Sequence, residues 1–256
     1  MNTVNVVYEG RVAKVEMSRP DVLNAMDGEM LSELLAAFKE VRDSEADVLV
    51  ISGAGRGFSS GGDIKSMLSD MDESAFSSVM YTISQMITEL YTMPKLTISA
   101  IHGAAAGLGF SLALACDHVI AHETAILSMN FIGIGLIPDG GGHFFMEKRL
   151  GETKAKQMIW EGRRLSAEGA MQAGLIDQMV AGDMKAAVEE KISEWLEKPV
   201  AAMIETKRIY TSRRAADLET ILSLETSSQY KMRQTKDHKE GISSFLEKRQ
   251  PQFSGK

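Results

Sequence analysis

Alternating apolar and polar positions open the chain. Val4–Tyr8 and Val12–Met17 each show the period of a half-buried strand, and Glu9-Gly10 between them signals a hairpin. Ser18-Arg19-Pro20-Asp21 is a turn. The period then lengthens. Met30, Leu34, Leu35, Phe38 and Val41 share one face of a helix predicted over Gly28–Arg42. Asp47–Ser52 is a short apolar strand, and Gly53–Gly62 a loop. Ser66–Ser74 is polar, dotted with methionine, and reads as a mobile connection. A helix is predicted over Phe76–Tyr91, a strand over Leu96–Ile101, a helix over Leu108–Cys116, and short strands over Asp117–Ala121 and Ala125–Ser128. Strands alternating with helices predict an α/β fold around a largely parallel, buried sheet.

The character changes near Gly140. Lys148–Trp160, Ser166–Ala173, Met184–Glu197 and Ala201–Tyr210 read as helices, with only Ile176–Val180 strand-like. Leu218–Gln234 and His238–Lys248 are long, charged and amphipathic. The chain therefore divides into a core over 1–195 and a helical region over 196–256, which packs on the core or on a neighbouring subunit.

Composition narrows the partners. The 256 residues are 44% apolar and 25% charged, as in an ordinary soluble globule. A net charge of −7 argues against non-specific nucleic-acid binding, while leaving room for a local basic pocket. The single cysteine, Cys116, has no internal disulfide partner and sits in an apolar run, which fits a reducing compartment. Met1–Glu9 shows no signal-peptide pattern, and Ala104–Cys116 is shorter than the ~18 residues of a membrane span. A cytoplasmic location, with no membrane partner, is the expectation.

Two small-residue loops carry most of the chemistry. Phe58-Ser59-Ser60-Gly61-Gly62-Asp63-Ile64 and Gly103-Ala104-Ala105-Ala106-Gly107-Leu108-Gly109 each follow a buried strand. Small residues let a ligand approach backbone N–H groups closely, and two such donors converging on a carbonyl oxygen form an oxyanion hole. The second loop also opens a helix, whose dipole adds to the field. A site of this kind stabilises an enolate or a tetrahedral oxyanion.

Asp139, in Ile134-Gly135-Leu136-Ile137-Pro138-Asp139-Gly140-Gly141-Gly142, has two readings. It is placed to cap the following helix. It is equally a carboxylate in an apolar pocket lined by Ile132, Ile134 and Leu136, where its pKa would rise and suit proton shuttling. Gly57-Phe58-Ser59-Ser60-Gly61 matches a nucleophile elbow in letters only, because a loop separates it from the preceding strand. His118 and His122, with Glu123, have metal-like spacing. On a strand, residues four apart lie roughly 13 Å from each other, so they read as structural and no metal site is expected. His102 packs under the second loop, and His143 lies on the helix surface or faces the pocket. Gly107-Leu108-Gly109 lacks the third glycine of a dinucleotide fingerprint, and no Walker pattern is present. Met67, Met71, Met80, Met86 and Met93 fill core or lid and suit a flexible acyl chain.

Together these pieces resemble the crotonase superfamily of enoyl-CoA hydratases and isomerases over nearly the whole chain. The resemblance rests on Ser18-Arg19-Pro20 with Asn24-Ala25-Met26, on Gly53–Asp63, on Ile101–Gly107 with Asp117, and on Ile134–Gly142. It continues through Leu165-Ser166-Ala167, Ala173–Ile176, Glu240-Gly241-Ile242 and Phe245–Arg249. It implies a spiral of ββα units with a C-terminal helical trimerisation region, assembled as a homotrimer or a dimer of trimers. It implies an acyl-CoA thioester as substrate, with coenzyme A part of that substrate and no separate cofactor. The implied oxyanion donors are the N–H groups of Gly62 and Leu108. The implied CoA groove involves Arg19, Val22, Ala25, Ser60, Asp63 and Ile64, with Phe245 and Lys248 reaching the CoA of a neighbouring subunit.

The departures are as informative. Where hydratases of this family carry two glutamates, this chain has Ser111 and Phe131. Neither handles protons near neutral pH, and hydration needs both removal and delivery of a proton. Asp139 remains, in a context similar to the isomerase branch typified by 1,2-epoxyphenylacetyl-CoA isomerase. Ser111 and Phe131 would then line the substrate, Phe131 as a dry wall. The resemblance thus implies isomerisation of a 3-enoyl-CoA to a 2-enoyl-CoA by Asp139. The alternatives are enoyl-CoA hydration, another reaction of the superfamily on a ring-derived CoA thioester, and a non-catalytic CoA-binding scaffold.

Overall fold

The computed structural model describes residues 2–63 and 73–256. Ile64 and most of the connection expected at Ser66–Ser74 lie outside them. Strands β1 (Val4–Glu9) and β2 (Val12–Met17) form the expected antiparallel hairpin, with Val6 opposite Val15. Gly10 takes positive φ at its turn. Four parallel additions follow: β3 (Val48–Gly53), β4 (Leu96–Ile101), β6 (His118–His122) and β9 (Gln178–Val180), in the order β1-β2-β3-β4-β6-β9. All six residues of β4 are buried, as befits a strand covered on both faces.

A second sheet turns away from the first. It contains β5 (Ala104–Ala106), β7 (Ile126–Ser128) and β8 (Arg164–Ser166), in the order β5-β7-β8. Neither β5 nor β8 was evident from the pattern, because three residues are too few to show a period. The two sheets, wound with helices, make the α/β spiral expected of a crotonase fold.

Helix α1 (Gly28–Asp43) buries Met30, Leu34, Phe38 and Val41, and Asp27 caps it by accepting from Met30 N at 3.0 Å. Helix α2 (Glu73–Thr92) packs beside it, and α3 (Leu108–Leu114) is buried throughout. The single helix expected over Lys148–Trp160 is two, α4 (Gly142–Leu150) and α5 (Glu152–Glu161). Gly151, at φ 75°, breaks the hydrogen-bond ladder between them. Helices α6 (Ala167–Ala173) and α7 (Met184–Leu196) follow, capped by Ser166 and Asp183.

The tail corrects the prediction in the other direction. The two helices read over Ala201–Tyr210 and Leu218–Gln234 are one continuous 34-residue helix, α8 (Val200–Arg233). No glycine or proline interrupts it, and the stretch between holds Arg213, Arg214, Ala215 and Ala216, all tolerant of helix. Leu218 and Leu222 bring α8 into the main core, and α9 (Lys236–Glu247) packs under Ile134. Among the described residues, no helix is long and apolar enough to cross a membrane.

Candidate active site

The first loop is held by a bracket built from Arg19–Met26. Leu23 and Asn24 both adopt left-handed backbone, at φ 54° and 52°. Such conformations cost non-glycine residues free energy and persist where the surroundings enforce them. Here the enforcement is visible. The buried Asn24 amide donates to Ala54 O at 2.9 Å and Gly57 O at 2.8 Å, and its oxygen accepts from Arg19 N. Ser59 Oγ donates to Asn24 O and accepts from Gly61 N, so this serine is structural. Met26 N donates to Gly61 O, and Asp63 N to Met26 O. Within this bracket Gly61 N is taken by Ser59 Oγ, and Gly62 N–H has no backbone acceptor among the described residues.

The second loop lies against the first through Ser59 and Ala105, and Phe58 N donates to His102 O. The His102 ring lies beside Gly55 O at 2.9 Å, an exposed contact to the first loop. Gly61, at φ 92°, passes so close that an added Cβ would stand 2.6 Å from Ala106 O and 3.3 Å from Leu108 N. Leu108 opens α3, where the first N–H groups have no intrahelical partner. Gly62 and Leu108 are thus neighbouring donors at the mouth of a helix. They line two clefts at once, one of about 240 Å³ on the Asp139 side and one of about 330 Å³ on the side of Phe131.

Asp139 does not cap α4. The helix starts three residues later, and Gly140 and Gly141, at φ 61° and 74°, turn the carboxylate away from its N–H groups. The capping role falls to Glu225 of α8. Its Oε2 accepts from Gly141 N at 2.8 Å, and its Oε1 accepts from His143 N at 3.1 Å and lies 2.8 Å from His143 Nδ1. The aspartate instead stands in the wall of the first cleft, 5% exposed. Its Oδ2 accepts from Gln229 Nε2 at 3.1 Å, while Oδ1 is buried with no hydrogen-bond partner among the described residues. Burial, and then the negative charge of Glu225, push its pKa up to about 7 against the pull of Gln229 and His143.

The rest of the cleft is mainly apolar, with Met26, Leu31, Phe76, Met80, Ile83 and Leu136 in its lining. Of the three residues expected around Asp139, only Leu136 shares its cleft. Ile134 faces the second cleft, and Ile132 packs against the core. Two further carboxylates reach the first cleft, Asp27 and Asp63, and both pair with Arg19, at 3.0 and 3.2 Å. Arg233 closes one side, its guanidinium 4.9 Å above the Phe76 ring.

The chain matches the family model described as enoyl-CoA hydratase/isomerase over residues 8–256. It belongs to the enoyl-CoA hydratase/isomerase family. It is 50% identical over 253 residues to YhaR of Bacillus subtilis (strain 168), provisionally named as an enoyl-CoA hydratase/isomerase, with 99% of each chain covered. It is 35% identical over 253 residues to the 1,2-epoxyphenylacetyl-CoA isomerase of Escherichia coli (strain K12), with 97% of each covered. The crystal structure of an enoyl-CoA hydratase from Mycobacterium avium subsp. paratuberculosis K-10 superposes with a TM-score of 0.90 at 30% identity, covering 98% of both chains. Enzymes of the enoyl-CoA hydratase/isomerase family act on acyl-CoA thioesters.

Within this family frame, the other expected contacts sort by position. Ser60, Phe131 and Phe245 line the second cleft, and the Phe131 ring lies against Gly107. Phe245 lines that cleft within its own chain. Arg19 acts on the first cleft through Asp27 and Asp63, and also donates to Ala25 O. Val22 and Ala25 offer backbone carbonyls, Val22 O accepting from Ser60 Oγ at 3.3 Å. Lys248 is the left-handed cap of α9 and lines neither cleft. Ser111 is corrected outright. It is fully buried and donates to Asp139 O at 2.8 Å, so it holds the loop from beneath and does not face substrate. Glu225 and Gln229 went unseen in the sequence. Their signal was two polar residues continuing the buried Leu218, Leu222 stripe of a helix.

Proposed function

We propose that this enzyme isomerises a 3-enoyl-CoA to the conjugated 2-enoyl-CoA, with Asp139 carrying the proton. The observation that carries the reading is the unpartnered Oδ1 of a buried carboxylate, raised to about 7, in the same cleft as Gly62 and Leu108. A base with a pKa near the working pH both accepts and returns a proton efficiently. The thioester oxygen sits between the Gly62 and Leu108 N–H groups. Asp139 takes a proton from C2, and the C–H electron pair moves into a dienolate whose charge rests on that oxygen. The carboxyl then returns the proton at C4, and the double bond settles between C2 and C3. No atom is gained or lost.

One base suffices because no water enters. The apolar lining around Met26, Phe76 and Ile83 favours an acyl chain over ordered water. Asp27 and Asp63 are engaged by Arg19, and Ser111 and Phe131 bring no carboxylate, so a second acid–base group for hydration is lacking among the described residues.

The test incubates the protein with 3-enoyl-CoA thioesters of graded length and reads the product by mass spectrometry. Isomerisation leaves the mass unchanged and builds the conjugated chromophore, whereas conversion to a 3-hydroxyacyl-CoA adds one water and would overturn the reading. In D2O a shuttling carboxyl retains much of the substrate's own hydrogen. Complete exchange at C4 would argue for a solvent-fed acid instead.

A further inference from the structure

Asp139 is held by a residue of α8, Gln229, that lies 90 residues away in the chain. We propose that Glu225 and Gln229, one turn apart on α8, are positioning residues for Asp139. Gln229 ties down one carboxylate oxygen so that the other is presented to substrate, and Glu225 keeps a negative charge behind the base. The inference rests on the isomerase reading of Asp139 and deepens it.

The geometry is specific. The Gln229 side chain is clamped at both ends, donating to Asp139 Oδ2 at 3.1 Å and accepting from Ile137 N at 3.4 Å. It spans the two residues that flank Pro138, so the loop and the carboxylate move with it. Only one Asp139 oxygen is spoken for, and the other lacks a partner in the cleft wall. A neutral amide does this without cancelling the carboxylate's charge, which a lysine or arginine in its place would do.

Glu225 is 2% exposed, yet its charge is well supported by two backbone N–H groups at the start of α4 and by His143. Ordinary capping serves such a helix start with a residue at its own N-terminus. Here a buried carboxylate arrives from α8, and its charge adds to burial in raising the proton affinity of Asp139. The other charged groups near the aspartate are accounted for. His143 on α4 faces Glu225, Arg233 on α8 stacks on Phe76, and Asp27 and Asp63 across the cleft share Arg19. A carboxylate behind a carboxylate makes a stronger base, able to take a weakly acidic C2 proton and still release it.

Two variants of opposite sign test the assignment. Glu225→Gln removes the charge and keeps an acceptor for the α4 N–H groups. Its kcat/KM profile should turn on at a pH lower by half a unit or more, with kcat down about three- to tenfold and KM within twofold. Gln229→Glu places a second carboxylate against Oδ2, and its profile should turn on at higher pH. A purely structural role would weaken both variants without moving their profiles in opposite directions. Infrared titration of the buried carboxyl, with Asp139→Asn as the blank, reads the same displacement without any turnover. Wild-type protein inert toward 3-enoyl-CoA would overturn the isomerase reading alone. An Asp139 titration unmoved in both variants, or moved the same way in both, would overturn this inference. If Glu225→Gln does not fold, the upward displacement in Gln229→Glu decides the matter by itself.

Discussion

The two walls of the cleft are built on different principles. The wall of Gly62 and Leu108 is backbone, locked by backbone and Asn24 hydrogen bonds and by approaches too close for any side chain. The opposite wall is side chain: Asp139 on a glycine-flanked turn, gripped by Gln229 and backed by Glu225 from the tail helix. The first wall offers fixed dipoles where negative charge would gather on a bound thioester oxygen. In the proposed reaction the second decides what is done with the proton. One wall is thus suited to constancy and the other to variation, and substitutions should separate them.

The largest effect is expected at the side-chain wall. Asp139→Asn should cost isomerase turnover about 10²- to 10⁴-fold, with acyl-CoA affinity within a few-fold. The same change should stabilise the fold. The folded pKa of about 7 lies above the usual aspartate value, so the native state binds more protons than the unfolded chain between those two values. Stability therefore falls as pH rises from about 4 to about 7 and then levels off. The variant, which cannot ionise there, should show a melting-temperature advantage that grows over that window and persists above it. Thermal scans from pH 4 to 9 check this. Retention of near-full kcat, or an advantage greatest at pH 4, would remove Asp139 from its role.

Activity of the wild-type enzyme carries the same signature. In the proposed mechanism the working form is the carboxylate, so kcat/KM should climb through pH about 7 and reach a plateau, with no dependence on Ser111. A profile falling through neutral pH would point to a group that works protonated, which is how a hydratase delivering a proton to carbon would behave.

At the backbone wall the cost should appear first in folding. Asn24→Ala removes the donors to the Ala54 and Gly57 carbonyls and the acceptor of Arg19 N, and leaves alanine at φ 52°. A fully buried orphaned group costs about 1–3 kcal/mol and a part-buried one less, so with one of the first kind and two of the second a loss of about 2–4 kcal/mol is expected by chemical denaturation. The surviving folded fraction should keep the pH profile of the wild type, since the proton-handling wall is untouched. A changed profile at unchanged stability would show that the walls are coupled.

The contrast also explains what could be read from the chain. Backbone geometry is written locally: Gly61 and Gly103 stand where an added Cβ would meet backbone at 2.6 and 2.1 Å, and two strands point at their loops. Ser111 and Asp139 were legible as positions, but the contacts each makes were not. A hydroxyl buried under a loop and one facing a ligand look alike in letters, and Asp139 next to a helix start resembles a cap until Gly140 and Gly141 turn it away. Gln229 and Glu225 reach Asp139 and its helix across 84 to 90 residues. No local period announces such a partner. The trace it left is compositional: after Leu218 and Leu222, the buried stripe of α8 continues with Glu225 and Gln229, where a packing helix would carry leucine.

The smallest predicted effect lies where the tail touches the second cleft. Phe245, on α9, is 56% exposed and lines the space beside Gly107 and Phe131. An exposed ring contributes little to folding, so Phe245→Ala should leave the denaturation midpoint nearly unchanged. The cleft it borders opens from Gly62 and Leu108 on the side away from Asp139, where the thiol-ester arm of the substrate would leave the acyl pocket. Covering part of that arm with a phenyl ring is worth about 1 kcal/mol of apolar contact, or roughly a fivefold change in affinity. The variant should therefore raise KM about fivefold at constant kcat and constant pH profile, because contact along the arm binds ground state and transition state alike. An equal fall in kcat would mean that this ring also holds the Gly107 loop against Leu108, and that the backbone wall, like the side-chain wall, depends on the tail.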